Sequence, residues 1–263
     1  MRSSSVLRRL LEAPEIVVLP GAYDALSARL AERAGFAAVF TTGFGFSAAA
    51  LGQPDFGLVT MSETMDRVRH IVDSVSIPVV ADMDTGYGNP LNTRRTVHEC
   101  VMAGAAGIIL EDQQWPKKCG HFEGKKVIPA EDHVAKLRAA VDALDADDLV
   151  IIARTDARAP LGLEELRTVK AAIPDVPLFA NMVEGGKTPM LTYRELQELG
   201  YKMVVFPLSA LFAATKAIEA VYAELFSKKT TAGVVDRLTP FHEFEEIVGV
   251  RELRELEARY GVE

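Results

Sequence analysis

Cysteine is scarce in this chain, with only Cys100 and Cys119 among 263 residues. Their spacing does not suit a close metal-binding pair, and a chain of this length needs no cross-links. A disulfide scaffold is therefore not expected, and a reducing cytosol is the simplest setting. Positive charge is short as well: 29 Lys and Arg stand against 37 Asp and Glu, a net charge of -8. That balance disfavours nucleic acid or an anionic membrane surface as the main partner, because both require clustered cations. No apolar run is long enough to span a membrane. The opening MRSSSVLRRLLEAPE lacks an apolar h-region and a small-residue cleavage site, and Glu12 and Glu15 follow its basic start at once. It reads as a first amphipathic helix of a cytoplasmic protein. Linkers, low-complexity tracts and short repeats are also missing. Residues 1–263 are therefore expected to form one domain, with 238–263 a C-terminal helical extension.

What the chain does contain is a repeated alternation. Short β-branched runs start at Ile16, Ala37, Pro78, Gly107, Val150, Pro177 and Lys202, with amphipathic segments between them. Alternation of buried strands with helices predicts a parallel sheet. DALSARLAERAG, TRRTVHECVMAGAAG and LTYRELQELG carry apolar residues at helical spacing and finish on glycine, as helix C-termini often do. Polar residues gather where the strands end: Asp24, Asp82, Asp84, Glu111, Asp112, Arg154, Asp156 and Asn181. In a (β/α) barrel the loops leaving the strand C-termini converge on one mouth, which is the catalytic face.

ADMDTGYGNP ends a strand with Asp82 and Asp84, and Glu111 ends the next. Three carboxylates on neighbouring strand ends repel one another unless a cation lies between them, and oxygen-only donors favour Mg2+, with Mn2+ as the alternative. Acids capping the next helix or facing solvent are the simpler reading of the same residues. PKKCGH sets Cys119 beside Lys117, Lys118 and His121. Positive neighbours are expected to lower the thiol pKa toward neutrality, where it can both give and take a proton. Cys100, within TVHECVMAGAAG, reads instead as a buried and inert cysteine. A papain-like nucleophile is disfavoured, since no second His and Asn stand at the familiar spacing.

TTGFGFSAA contains G-x-G-x-x-A after a strand, but no strand-terminal acid follows about 20 residues on for a ribose contact. EGGKTP lacks the first glycine of a P-loop and reads as a mobile or substrate-contacting loop. His70, His98 and His133 fall on predicted helices as surface or packing residues.

PGAYDALSA, ADMDTGYGNP, EDQQWPKKCGH, ARTDA and ANMVEGGKTP, in this order, resemble the isocitrate lyase and phosphoenolpyruvate mutase superfamily over nearly the whole chain. The K-K-C-G-H element is similar to that of its carbon-carbon lyases, nearest to the methylisocitrate and 2,3-dimethylmalate lyases. The large insertions of true isocitrate lyases are absent. The resemblance implies a (β/α) barrel of the TIM type with C-terminal helices swapped between subunits of a homodimer or homotetramer. It implies that Asp82, Asp84 and Glu111 hold Mg2+ directly or through water, and that Cys119 is the catalytic acid/base. It further implies that His121, Arg154 and Asn181 hold substrate carboxylates, with Gly120 beside them. Thr42, Gly43 and Phe44 would line an α-keto acid site whose entrance Asp55 orders.

The function so implied is cleavage of a 2-hydroxy di- or tricarboxylate to an α-keto acid such as pyruvate plus a carboxylic acid. Oxaloacetate hydrolysis and a carboxyphosphonoenolpyruvate mutase-like reaction are the enzymatic alternatives. One feature departs from the pattern. Seven strands are readable where a closed barrel of this type has eight, and the stretch between ARTDARA and LFANM has room for a single helix. About one βα unit is thus missing, with a glutamate that relatives carry on its strand. The expected consequence is a gap or distorted closure beside Val150 and Pro177, which keeps a catalytically impaired homologue as a further alternative.

Overall fold

The computed structural model describes residues 3–144, 149–157 and 161–261. These fall into two compact units, 1–210 and 211–263. The amphipathic start is helix α1, Ser3–Glu12, with Met1 and Arg2 outside the described residues.

All seven predicted strands are present: β1 Val17–Ala22, β2 Val39–Thr41, β3 Val79–Asp82, β4 Gly107–Glu111, β5 Val150–Arg154, β6 Leu178–Asn181 and β7 Tyr201–Phe206. Each pairing is parallel, in the order β5-β4-β3-β2-β1-β7-β6. Between the strands run α2 Ala25–Arg33, α3 Gly43–Leu51, α4 Met61–Ser74, α5 Pro90–Met102, α6 Ala130–Val141, α7 Leu163–Ala172 and α8 Tyr193–Glu198. Several starts are fixed locally by reciprocal capping: Thr60 with Glu63, Asn89 with Asn92 and Thr192 with Glu195 each satisfy two otherwise orphaned N–H groups. Asp24 caps α2 in the same way with Ser27, which accounts for this strand-end acid without a catalytic role.

Strand side chains alternate between two apolar layers, as period-2 geometry requires. Val79, Ala81, Ile108 and Leu110 pack outward against Met65, Val68, Ile71 and Val97 of the surrounding helices. Val80 and Ile109 point the other way, to Leu19, Phe40, Met203 and Val205, with Leu7 of α1 in the same cluster.

The sheet curls without closing. β5 and β6 each have one neighbour, and among the described residues no ladder joins them. The expected gap is present, where the sequence has one helix, α7, in place of a helix, a strand and a second helix. Its cost is visible in burial. Every residue of β4 is buried, whereas β5 has none buried and exposes Ala153.

Unit 211–263 holds most of α9, Ser209–Lys228, a 3-10 turn at Val235–Arg237, α10 Phe241–Val248 and α11 Val250–Tyr260. None of the three helices buries a residue, although α9 carries Tyr222 and Phe226 and α10 carries Phe241, which are 66%, 79% and 80% exposed. No described helix is long and apolar enough to cross a membrane.

Candidate active site

Parallel strands deliver their C-terminal residues to one edge, and here that edge is acidic and enclosed. Asp82 and Glu111 are the last residues of β3 and β4, Asp84 follows on the turn, and all three are buried. Burial, reinforced by Asp84, raises the Asp82 pKa. Burial pushes Glu111 well above the usual carboxylate range, against the opposing pull of Arg154 and Lys117.

Two cations offset this charge. Lys117 Nζ lies 2.6 Å from Asp84 Oδ1 and 2.7 Å from Asp55 Oδ1. Burial alone would strip its proton, but Asp84 and Asp55 outweigh that and keep the ammonium charged. Arg154, at the end of β5, sits 3.4 Å from Glu111 and 3.1 Å from Asp156. Burial opposes its charge too, and these carboxylates more than compensate.

The turn after β3 is held in an unusual shape. Asp84 and Tyr87 have positive φ, 49° and 58°, a region rare for a bulky side chain. The Tyr87 hydroxyl fixes it, lying 3.1 Å from Asp84 Oδ2 and 2.8 Å from Thr64 Oγ1. Nothing in the sequence marked Tyr87 for this role beyond its place in TGYGN.

Cys119 stands on the loop between β4 and α6, with its N–H donating to the Asp55 carbonyl at 3.0 Å. The expected lowering of its pKa is reversed. Burial raises the thiol, partly opposed by a hydrogen bond from the His121 backbone N–H. Lys117 and Arg154 pull the thiol down, but less than burial pushes it up. Lys117 is bound to Asp55 and Asp84, and Lys118 lies over the Phe56 ring at 5.7 Å. His121, whose own pKa is lowered by burial and by Arg154, is neutral at neutral pH. Cys119 thus holds its proton more tightly than an exposed thiol does. Cys100 is fully buried, its pKa pushed up to about 12, and inert as expected.

The other predicted residues fall around the same mouth, several with a local partner. Thr42 caps α3 through Gly45 N at 3.2 Å, and Gly43 N donates to Asp82 Oδ2 at 3.0 Å. Phe44 meets the Phe122 ring at 6.3 Å, and Phe56 meets it at 5.4 Å. Gly120 leaves room for the Arg154 guanidinium, since a Cβ there would approach Arg154 Nη2 to 2.6 Å and the side chain would have to shift. Gly186, of EGGKTP, likewise leaves room for the His121 ring, so this loop packs on the site. Asn181 ends β6 with a buried Oδ1 that has no hydrogen-bond partner among the described residues. The sequence reading assigned no role to Gln113, took Lys117 only as a charge beside the thiol and Asp156 only as one of the strand-end acids. Their partners lie 62 and 43 positions away, a proximity no local pattern announces.

The donor set suits a hard cation: buried carboxylate oxygens, with Glu111 Oε1 having no hydrogen-bond partner among the described residues. Among the described residues no three His, Cys, Asp or Glu side chains are gathered closely enough to hold one ion. Mg2+, which keeps several of its waters in protein sites, would therefore reach part of this set through water.

The site thus combines an open-edged parallel α/β sheet, an acidic, cation-balanced mouth and a half-buried thiol on the loop after β4. The phosphoenolpyruvate phosphomutase family pattern matches residues 7–164. A 2,3-dimethylmalate lyase of Eubacterium barkeri is 42% identical, with 99% of each chain covered. A 2-methylisocitrate lyase of Aeropyrum pernix is 40% identical over 98% of this chain and 91% of its own. A crystal structure of 2,3-dimethylmalate lyase superposes with a TM-score of 0.93 at 33% identity, covering 99% and 96% of the two chains. The chain belongs to the phosphoenolpyruvate phosphomutase family, within the PEP mutase/isocitrate lyase superfamily. Its alignment with the E. barkeri lyase extends over 287 positions, more than the 263 residues it possesses, in keeping with a missing unit.

Proposed function

We propose that this protein is a Mg2+-dependent carbon-carbon lyase of 2-hydroxy di- or tricarboxylates of the 2,3-dimethylmalate or 2-methylisocitrate type. The observation that carries the reading is Cys119, half-buried on the loop after β4, with Arg154 against the adjacent Gly120 and itself paired with Glu111. Bound Mg2+ would supply positive charge that acidifies the substrate hydroxyl. Asp82, Asp84 and Glu111 would hold it. Arg154, His121 and Asn181 bind substrate carboxylates, and Thr42, Gly43 and Phe44 line the keto-acid side, with Gly120 close to Arg154 and Asp55 ordering the entrance through Lys117.

When the hydroxyl proton passes to a water molecule, the C2-C3 bond breaks, its electron pair passes into the enediolate of the second fragment, and the first fragment becomes the α-keto acid. Arg154 stabilises the developing charge. Cys119 then transfers its proton to the fragment's carbon. The thiol requires a reducing compartment such as the cytosol, and both cysteines are free.

A panel of 2-hydroxy acids with Mg2+, scored for pyruvate release, tests the reading. Turnover is expected to vanish in excess chelator and to return with Mg2+, and undiminished activity in chelator would count decisively against it. The unpaired edges of β5 and β6 favour one competing reading, a homologue that binds but turns over weakly. Binding without measurable turnover across the panel would select it.

The bare helices of unit 211–263 support assembly into a homodimer or homotetramer, with these helices exchanged between subunits. Sedimentation at micromolar concentration is expected to show no monomer, and a strictly monomeric mass would refute the assembly.

A further inference from the structure

Gln113 lies two positions past the end of β4 and is only 1% exposed. Its amide is nonetheless fully used. Oε1 accepts from Lys118 N–H at 3.0 Å, while Nε2 donates to the Lys118 carbonyl at 2.8 Å and to Asp156 Oδ2 at 3.0 Å. One side chain thus grips both backbone groups of the residue immediately before Cys119. The other end of the grip is anchored. Asp156 also receives Arg154 Nη2 at 3.1 Å, and its own N–H donates to Asp112 Oδ1 at 2.8 Å. The roots of the loop are pinned separately, by Gln114 N–H to the Lys126 carbonyl and Ile128 N–H to the Asp112 carbonyl, both at 2.8 Å.

We propose that Gln113 is a positioning residue, a clasp that ties the Cys119 loop to Arg154 through Asp156 and so sets the thiol over the substrate carboxylate site. Asp55 and Asp84 already hold Cys119 N–H and Lys117, and the clasp fixes the Lys118 backbone between them; without it this segment could shift, and a proton donor displaced by about 1 Å can lose about a hundredfold in rate. With the clasp, the group that binds carboxylate and the group that delivers the proton share one rigid hydrogen-bonded path. The geometry also assigns the amide rather than a carboxylate to this position. A glutamate would keep the bond from Lys118 N–H but lose both donations and face Asp156 as a like charge.

The proposal rests on the reading of Cys119 as the carbon acid, and the test separates the two. Gln113→Met and Gln113→Glu are compared with the wild type in kcat, KM and the rate of Cys119 alkylation by iodoacetamide, Cys100 being fully buried. Both variants are expected to lose about a hundredfold in kcat with KM changed less than about threefold, because a positioning loss falls on the transition state. Alkylation is expected to accelerate at least about tenfold as the loop opens locally. Alkylation at the wild-type rate in both variants would overturn the clasp. Faster alkylation with unchanged kcat would leave the clasp standing and remove the acid role of Cys119 instead. A measurement on the wild type needs no variant to fold. The Lys118 amide is expected to exchange its hydrogen at least about a hundredfold more slowly than an unprotected peptide, and exchange at the unprotected rate would also overturn the proposal.

Discussion

Cys119→Ser is expected to bind substrate and to lose about a thousandfold in kcat, within the span that a positioned general acid contributes. A serine hydroxyl fits the space of the thiol but is far too weak an acid to protonate the carbon of an enediolate. The structure also fixes the sense of the pH dependence. Burial holds the Cys119 pKa above its ordinary value, so the thiol carries its proton throughout the neutral range and loses it only on the alkaline side. In the proposed mechanism cleavage consumes that proton, and it should therefore run level through neutrality and fall as the pH rises past the raised thiol value. Condensation of the two fragments needs the thiolate and should rise over the same range. Steady-state profiles in both directions check this. A serine variant within a few-fold of wild-type kcat, or a cleavage rate that climbs through the alkaline limb, would remove Cys119 from the proton transfer.

Lys117→Met is expected to cost about 3 to 5 kcal/mol of folding stability, the usual consequence of removing one partner from a buried ion pair. Asp55 and Asp84 are both buried and both within 2.7 Å of the Lys117 ammonium, so the variant leaves two carboxylates without their cation. Against a typical total of about 5 to 15 kcal/mol, that loss brings the protein close to its stability limit. The same ammonium joins the turn after β3 to the loop that bears Cys119, so activity should fall with stability. Adding Asp55→Asn to the Lys117 variant removes one of the orphaned charges, and the double variant is expected to lose less than the two single losses combined. Urea midpoints measure all three. A Lys117→Met variant destabilised by less than about 1 kcal/mol would mean that the triad is not the electrostatic unit described here.

The chain by itself determined the elements and the edge on which chemistry had to lie. β-branched runs separated by capped amphipathic segments specify parallel strands, and a parallel sheet sends every strand end to one side. Asp82, Glu111, Arg154 and Asn181 therefore had to share a mouth. The length between Arg154 and Leu178 likewise announced a missing unit, because a helix, a strand and another helix cannot fit there. What only the tertiary structure decided is how those groups interact. Local charge counting placed Lys117, Lys118 and His121 around the thiol as cations. In the fold, Lys117 is drawn to Asp55 and Asp84, His121 is neutral, and desolvation raises the thiol instead of lowering it. The bond from Gln113 to Asp156 and the open seam between β5 and β6 belong to the same category. Periodicity and capping act between residues a few positions apart and are written in the sequence. Burial, ion pairing and sheet closure depend on which distant segments meet, and that is settled only when the chain has packed.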